Sequence, residues 1–165
     1  VHRPSSTPHC IPALRASRPP ASQVFSWPVR VYYEDTDLGG VVYYANYLKF
    51  LERARTEWLR SLGFDQTGLA SAHGVVFVVR SIALDYVKPA RFDDQLEVSV
   101  GLADLGASRI GLAQRVLRGA EELVTARVDI ACVHTATFKP ARIPASLSGL
   151  LDRYSAETRP PRGTT

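Results

Sequence analysis

The sequence has no methionine, only two cysteines and no long apolar run. A membrane-spanning helix needs about 20 consecutive apolar residues, so no membrane insertion is expected. Cys10 lies in a tail and Cys132 in a strand-like run, which is too little for a disulfide framework and suits a reduced, cytoplasmic protein. Cys132, between Ala131 and Val133, reads as a small buried hydrophobe. Basic charge is scarce where a nucleic acid would need it. The formal net charge is +4, but residues 1–24 hold Arg3, Arg15 and Arg18 without an acid, and residues 152–165 hold three arginines against two acids. What lies between is neutral, so no nucleic-acid face is expected, although a local phosphate pocket remains open. His73 and His134 have no Cys, His or Asp at ligand spacing, so neither a metal site nor a cofactor is expected.

With 165 residues and 45% hydrophobic composition, the chain suits one domain with a real core. Residues 1–24 are rich in Pro, Ser and Arg and read as a disordered extension that lacks a signal-peptide core. Whether they belong to the native protein is left open by the sequence. Residues 25–151 form the expected domain, and residues 152–165 read as a second disordered tail.

Inside the domain, residues 27–37, "WPVRVYYEDTD", alternate as a strand opened by Pro28. Leu38-Gly39-Gly40 is a turn. Tyr47, Phe50, Leu51, Ala54, Trp58 and Leu62 recur at helical spacing with Lys49, Glu52, Arg53, Glu57 and Arg60 facing elsewhere, and Gly63 ends the run. Residues 64–74 read as a loop with at most a short helical turn. Four long strand-like runs follow: "VVFVVRSIALDYV", "QLEVSVGLADL", "SRIGLAQRVLR" and "ELVTARVDIACVHT", separated by turn signals. Long strands with short connections give an antiparallel sheet. A single amphipathic helix has only that sheet to bury its stripe against. The expected class is α+β: a curved antiparallel sheet of about five strands wrapped around one long central helix.

The chemistry concentrates in residues 32–47, "YYEDTDLGGVVYYANY", where Glu34, Asp35 and Asp37 sit in an apolar and aromatic stretch ahead of two glycines. A carboxylate at a strand-to-turn junction can act as nucleophile or general base, glycines let backbone approach a ligand, and a helix start offers unpaired N–H groups. The bland alternative for Asp37 is a turn-capping carboxylate. Glu34 and Asp35 read as solvated charges or structural acceptors, and Glu52 and Glu57, among Arg53, Arg55 and Arg60, as ion-paired helix acids.

The run "VRVYYEDTDLGGVVYYANYLKFLERARTEWLR" resembles the signature of bacterial acyl-CoA thioesterases of the 4-hydroxybenzoyl-CoA thioesterase superfamily, most closely its Tol-Pal-associated branch. The likeness continues through "VVRSIALDYVKPARFDDQLEV" and covers roughly residues 27–147. It implies the hotdog fold and hydrolysis of short- or medium-chain acyl-CoA, with acyl-carrier protein as another possible donor and a homodimer or homotetramer as the assembly. By position it implies Asp37 as the catalytic carboxylate, the backbone amide of Tyr44 as oxyanion donor, and Gly40 in the turn between them. Many members of the branch carry His where this chain has Tyr44, and the backbone N–H survives that exchange. Tyr33, Ser108, Arg91, Arg109, Lys139 and Arg142 are the candidates for substrate contact, the last four for CoA phosphates. The alternatives are a hotdog hydratase, disfavoured because no His lies between Val24 and Ala72, and a module that binds acyl-CoA or acyl-carrier protein for lipid or envelope machinery with little turnover. A serine thioesterase of the α/β-hydrolase type is disfavoured, because Gly-x-Ser-x-Gly is lacking and no strand–helix alternation follows.

Deleting residues 1–24 is expected to leave the melting temperature and thioester turnover unchanged; failure of the shortened chain to fold would contradict the assignment of that segment as disordered.

Overall fold

A computed structural model describes residues 24–158. The expectation of disorder for residues 1–23 and 159–165 lies outside the described residues. The elements run β1 (Phe25–Arg30), a 3-10 turn at Tyr33–Asp35, α1 (Asn46–Ser61), α2 (Gln66–His73), β2 (Val75–Tyr86), β3 (Gln95–Leu105), β4 (Arg109–Arg118), β5 (Glu121–His134) and α3 (Ala145–Thr158). The five strands form one antiparallel sheet in the order β1-β3-β4-β5-β2. Chain order and sheet order differ because β2, which follows the helices, pairs with β5 at the far edge.

Alternation builds the core. Leu96, Val98 and Val100 of β3, Ile110, Leu112 and Val116 of β4, and Val124, Ala126, Val128 and Ile130 of β5 are buried. Period-two spacing puts each set on one face of its strand. The apolar stripe of α1 meets them: Tyr47, Phe50, Leu51, Ala54 and Trp58 are buried in the same cluster. One polar side chain is admitted. Gln114 of β4 is 1% exposed, and it donates from Nε2 to the Leu51 carbonyl (3.2 Å) while its Oε1 accepts from Arg55 (2.9 Å). That satisfies both ends of an amide that would otherwise cost a few kcal/mol to bury.

Three expectations need correcting. The first strand stops at Arg30. Val31 is buried, but Tyr33 is 76% exposed, because the chain tightens into the 3-10 turn where alternation predicted more strand. Pro28 sits inside β1 opposite Glu97, which an edge strand tolerates because one row of its backbone groups needs no partner. Second, three helices rather than one accompany the sheet among the described residues. Residues 66–73 make two turns, capped by Asp65, whose Oδ1 accepts the Gly68 N–H (2.7 Å), and ended by Gly74 at φ +63°. Third, the boundary at residue 151 falls within α3. Leu147 and Leu151 of that helix are fully buried, and the Tyr154 hydroxyl accepts from the Phe25 N–H (3.2 Å), so α3 packs on β3 and caps β1. Pro144 precedes α3 and accepts the Leu147 and Ser148 N–H groups.

Replacing Leu147 with Ala is expected to destabilise the domain by about 2–5 kcal/mol, measured by denaturant unfolding. A change below about 0.5 kcal/mol would show that α3 is a dispensable tail.

Candidate active site

Beyond β1 the backbone turns sharply, and hydrogen bonds show why. The carboxylate of Asp35, 4% exposed, accepts the Tyr32 N–H at Oδ2 (2.8 Å), which closes the 3-10 turn. Thr36 then pairs with Val42 as an antiparallel bridge. Between them the Asp37 N–H donates to the Val41 carbonyl and the Gly40 N–H to the Asp37 carbonyl, both at 3.0 Å. Asp37 therefore opens the turn of a miniature hairpin. Its side chain is exposed, and Oδ1 accepts the Gly39 N–H (2.7 Å). This is the turn-capping contact expected of an Asp here. It also leaves Oδ2 without a hydrogen bond among the described residues. The two glycines have different duties. Gly40 adopts φ +71°, a conformation L side chains rarely take, yet a Cβ there would meet nothing within 4 Å. A Cβ at Gly39 would lie 3.0 Å from Asp37 Oδ1.

The returning arm leads into α1. The Tyr43 N–H donates to the Asp35 carbonyl (2.9 Å), and the Asn46 N–H donates to the Tyr43 carbonyl (2.8 Å). The next loop anchors the same region. The Val42 N–H donates to the Ala90 carbonyl (2.8 Å), and the Ala90 N–H donates to Tyr47 Oη (2.9 Å). Tyr86 Oη donates to the Tyr44 carbonyl (3.0 Å). Burial raises the pKa of both Tyr47 and Tyr86, so both phenols stay neutral through the physiological range. Against this satisfied background, the N–H groups of Tyr44 and Ala45 make no hydrogen bond among the described residues. The hairpin thus brings an exposed carboxylate and two unpaired amide donors to one small segment of chain. Such a pair suits attack on a carbonyl: the carboxylate supplies or activates the nucleophile and the amides receive the oxyanion.

The other sequence candidates divide between two ends of the sheet. Arg91 belongs with the hairpin, because it bridges Val41. Tyr33 is there too, stacked on Phe92 with ring centroids 3.9 Å apart and an interplanar angle of 10°. Ser108, Arg109, Lys139 and Arg142 gather at the opposite end. Cys132 N–H donates to the Ser108 carbonyl, Arg109 pairs with Ala131, and His134 N–H donates to the Lys139 carbonyl. Ala141, beside Arg142, donates to the Cys132 carbonyl. The hairpin end is fixed to β5 at Leu123, which accepts from Val87 and Lys88. From Leu123 to Cys132 is about 30 Å of strand, so one copy does not bring these two groups together. Their charges share one property. Lys88, Arg118 and Arg30 are ion-paired with Glu121, Asp94 and Asp93, whereas Arg91, Arg109, Lys139 and Arg142 make no ion pair among the described residues.

The helix acids behave as surface groups: Glu57 pairs with Arg60 (2.5 Å) and Glu52 accepts the Thr56 hydroxyl (2.6 Å). A cavity of about 460 Å³ lies between Glu52, Arg55, Thr56 and Leu59 of α1 and Phe77 and Val79 of β2. No hairpin residue lines it. Burial lowers the pKa of Arg55, which nonetheless stays cationic at any physiological pH. Among the described residues no three of His, Cys, Asp and Glu are grouped as metal ligands, and no helix is long and apolar enough to cross a membrane.

Residues 31–151 match the family model described as the thioesterase-like superfamily. An acyl-CoA thioesterase YbgC of Haemophilus influenzae is 48% identical over 120 residues, 73% of this chain and 88% of the relative. An acyl-CoA thioester hydrolase YbgC of Escherichia coli is 45% identical over 125 residues, 75% of this chain and 92% of the relative. The crystal structure of a probable thioesterase from Bartonella henselae superposes with a TM-score of 0.71 at 40% identity, covering 74% of this chain and all of that one.

Gly39→Ala is expected to lower turnover on the order of 10-fold by displacing the Asp37 carboxylate with little effect on melting. Gly40→Ala is expected to destabilise by about 1–2 kcal/mol through its φ. Parallel kinetics and thermal melts separate the two, and identical behaviour would contradict the geometry.

Proposed function

The chain belongs to the thioesterase-like superfamily and is a thioester hydrolase; we propose that its substrate is a short- or medium-chain acyl-CoA and that Asp37 and the Tyr44 amide carry the reaction. The observation behind this is the exposed Asp37 carboxylate at one end of a hairpin whose other end presents an unpartnered Tyr44 N–H. The thioester carbonyl oxygen accepts from that N–H, with the Ala45 N–H as a second donor. As general base, Asp37 takes a proton from water while the water oxygen bonds to the carbonyl carbon. The oxyanion collapses, the C–S bond breaks, and the CoA thiolate recovers the proton from Asp37, leaving free acid and CoA. As nucleophile, Asp37 would instead form a mixed anhydride that water then opens.

Association of two copies would complete the site. β2 is a long edge strand with Val79 and Tyr86, and Val87 just beyond its end, half-exposed, and such edges call for a partner. It runs from the Lys139 end of the sheet, where Val75 pairs with His134, to the hairpin end at Tyr86. Antiparallel pairing of two β2 edges about a two-fold axis would set Ser108, Arg109, Lys139 and Arg142 of one copy beside the hairpin of the other. We therefore assign Arg109, Lys139 and Arg142 of one copy, with Arg91 of the other, to CoA phosphates across a homodimer, doubled to a homotetramer in the fuller assembly, with Ser108 near the ligand. The run from Val29 to Arg60 supports the Tol-Pal-associated branch, and two cysteines without a disulfide framework support a cytoplasmic site of action. Acyl-carrier protein is a second donor that fits the same chemistry.

Asp37→Asn is expected to lower kcat by roughly 10³ or more, about 4 kcal/mol of transition-state stabilisation, with unchanged melting. Thiol release from a panel of short, medium, long and benzoyl-type acyl-CoAs checks this. Binding of acyl-CoA without hydrolysis by either protein would favour the binding-module alternative.

A further inference from the structure

One carbonyl joins the two halves of this site. The Asp35 carbonyl lies two residues before Asp37, and it accepts both the Tyr43 N–H (2.9 Å) and Asn46 Nδ2 (2.9 Å). Asn46 lies two residues after Tyr44. It is the first residue of α1, only 9% exposed, and its side chain reaches back from the helix to the hairpin rather than capping its own helix, which starts without a side-chain cap. An amide at the first buried position of an otherwise apolar stripe is costly unless its polar atoms are used. Here one of them is spent on the separation between the two reacting arms.

We propose that Asn46 is a positioning residue for thioester hydrolysis, whose side-chain amide sets the distance between the Asp37 carboxylate and the Tyr44 N–H by gripping the Asp35 carbonyl. The inference rests on the roles assigned above to Asp37 and Tyr44. The physical need for it is clear. The hairpin closes on itself through the Thr36–Val42 bridge, but a hairpin alone can pivot relative to a helix. The Tyr43 N–H to Asp35 carbonyl bond restrains the base of the hairpin, and Tyr86 holds the helix side at the Tyr44 carbonyl. Among the described residues, only the Asn46 hydrogen bond runs directly from a helix side chain to the chain segment that carries Asp37. Asp35 adds stiffness, because its own carboxylate is spent on the Tyr32 N–H. Loss of the amide would leave the carboxylate and the oxyanion donors intact and mispositioned, and errors of about 1 Å in such arrangements cost up to about 100-fold.

The test is a double-mutant cycle between Asn46 and Asp37, read as kcat, KM and melting temperature. Asn46→Ala and the near-isosteric Asn46→Asp, which keeps the shape and removes the N–H donor, are both expected to lower kcat by about 10- to 100-fold. KM is expected to stay within about 3-fold. In the Asp37→Asn background the same changes are expected to lower residual kcat by less than about 3-fold, because there is no carboxylate left to position. If Asp37→Asn alone keeps full activity, the roles assigned above fall and this inference with them. If Asp37→Asn is inactive but kcat per folded molecule is unchanged in either Asn46 variant, or falls by the same factor in both backgrounds, Asn46 is structural only and this inference alone is overturned.

Discussion

The chemistry proposed for this protein depends on backbone N–H groups just before α1, those of Tyr44 and Ala45, that have no partner among the described residues. Buried or half-buried amides are almost always satisfied, and the first turn of a helix has several to satisfy. Around the start of α1 most polar groups are accounted for: Tyr43 and Asn46 bond to neighbouring carbonyls, Ala90 is held by Tyr47, and the Tyr44 carbonyl is held by Tyr86. The Tyr44 and Ala45 N–H groups find no such acceptor among the described residues. In the proposed reaction these donors would meet a developing negative charge, the condition for stabilising a transition state more than a ground state. The Asp37 carboxylate uses a different amide, that of Gly39, which donates to its Oδ1.

The sheet supplies the second constraint. Its strands are long enough to separate the hairpin from the Lys139 segment by most of the domain, so four cations that make no ion pair among the described residues are divided, Arg91 at one end and Arg109, Lys139 and Arg142 at the other. A nucleotide-bearing ligand needs charge and a reacting centre within its own length. The two-fold arrangement proposed along the β2 edge would resolve the division, and it would also cover an edge strand open to association. Phe138 fits this picture: it is 68% exposed at φ +54°, beside Lys139, a strained conformation of the kind that persists where local geometry serves a purpose.

Much of this was legible from sequence, for reasons that differ by element. The four later strands were legible as long β-rich runs between turn signals; β3, β4 and β5 bury alternate residues over most of their length, and Gln95–Leu105 coincides with its apolar run to the residue. The stripe of α1 was legible because it is buried against a single sheet face. What escaped was decided by tertiary contacts. Alternation through Tyr33 mimicked strand, but the Asp35 carboxylate ends it by bonding the Tyr32 N–H. Helix α3 carries a weak apolar pattern and is held by two leucines and Tyr154, whose partners come from β1 and β3. The role of Asn46 was hidden because its acceptor is a backbone carbonyl, invisible in sequence. The available signal was its place: Asn46, Phe50, Ala54 and Trp58 recur every four residues, and one of the four is polar.

The most direct test of the central claim is a crystal structure of the Asp37→Asn protein holding an unhydrolysed short-chain acyl-CoA. The account predicts the thioester oxygen within about 3 Å of the Tyr44 nitrogen and the side chain at position 37 within about 3.5 Å of the carbonyl carbon or of a water poised against it. A thioester seated instead in the cavity between Glu52, Thr56 and Phe77, away from the hairpin, would contradict it.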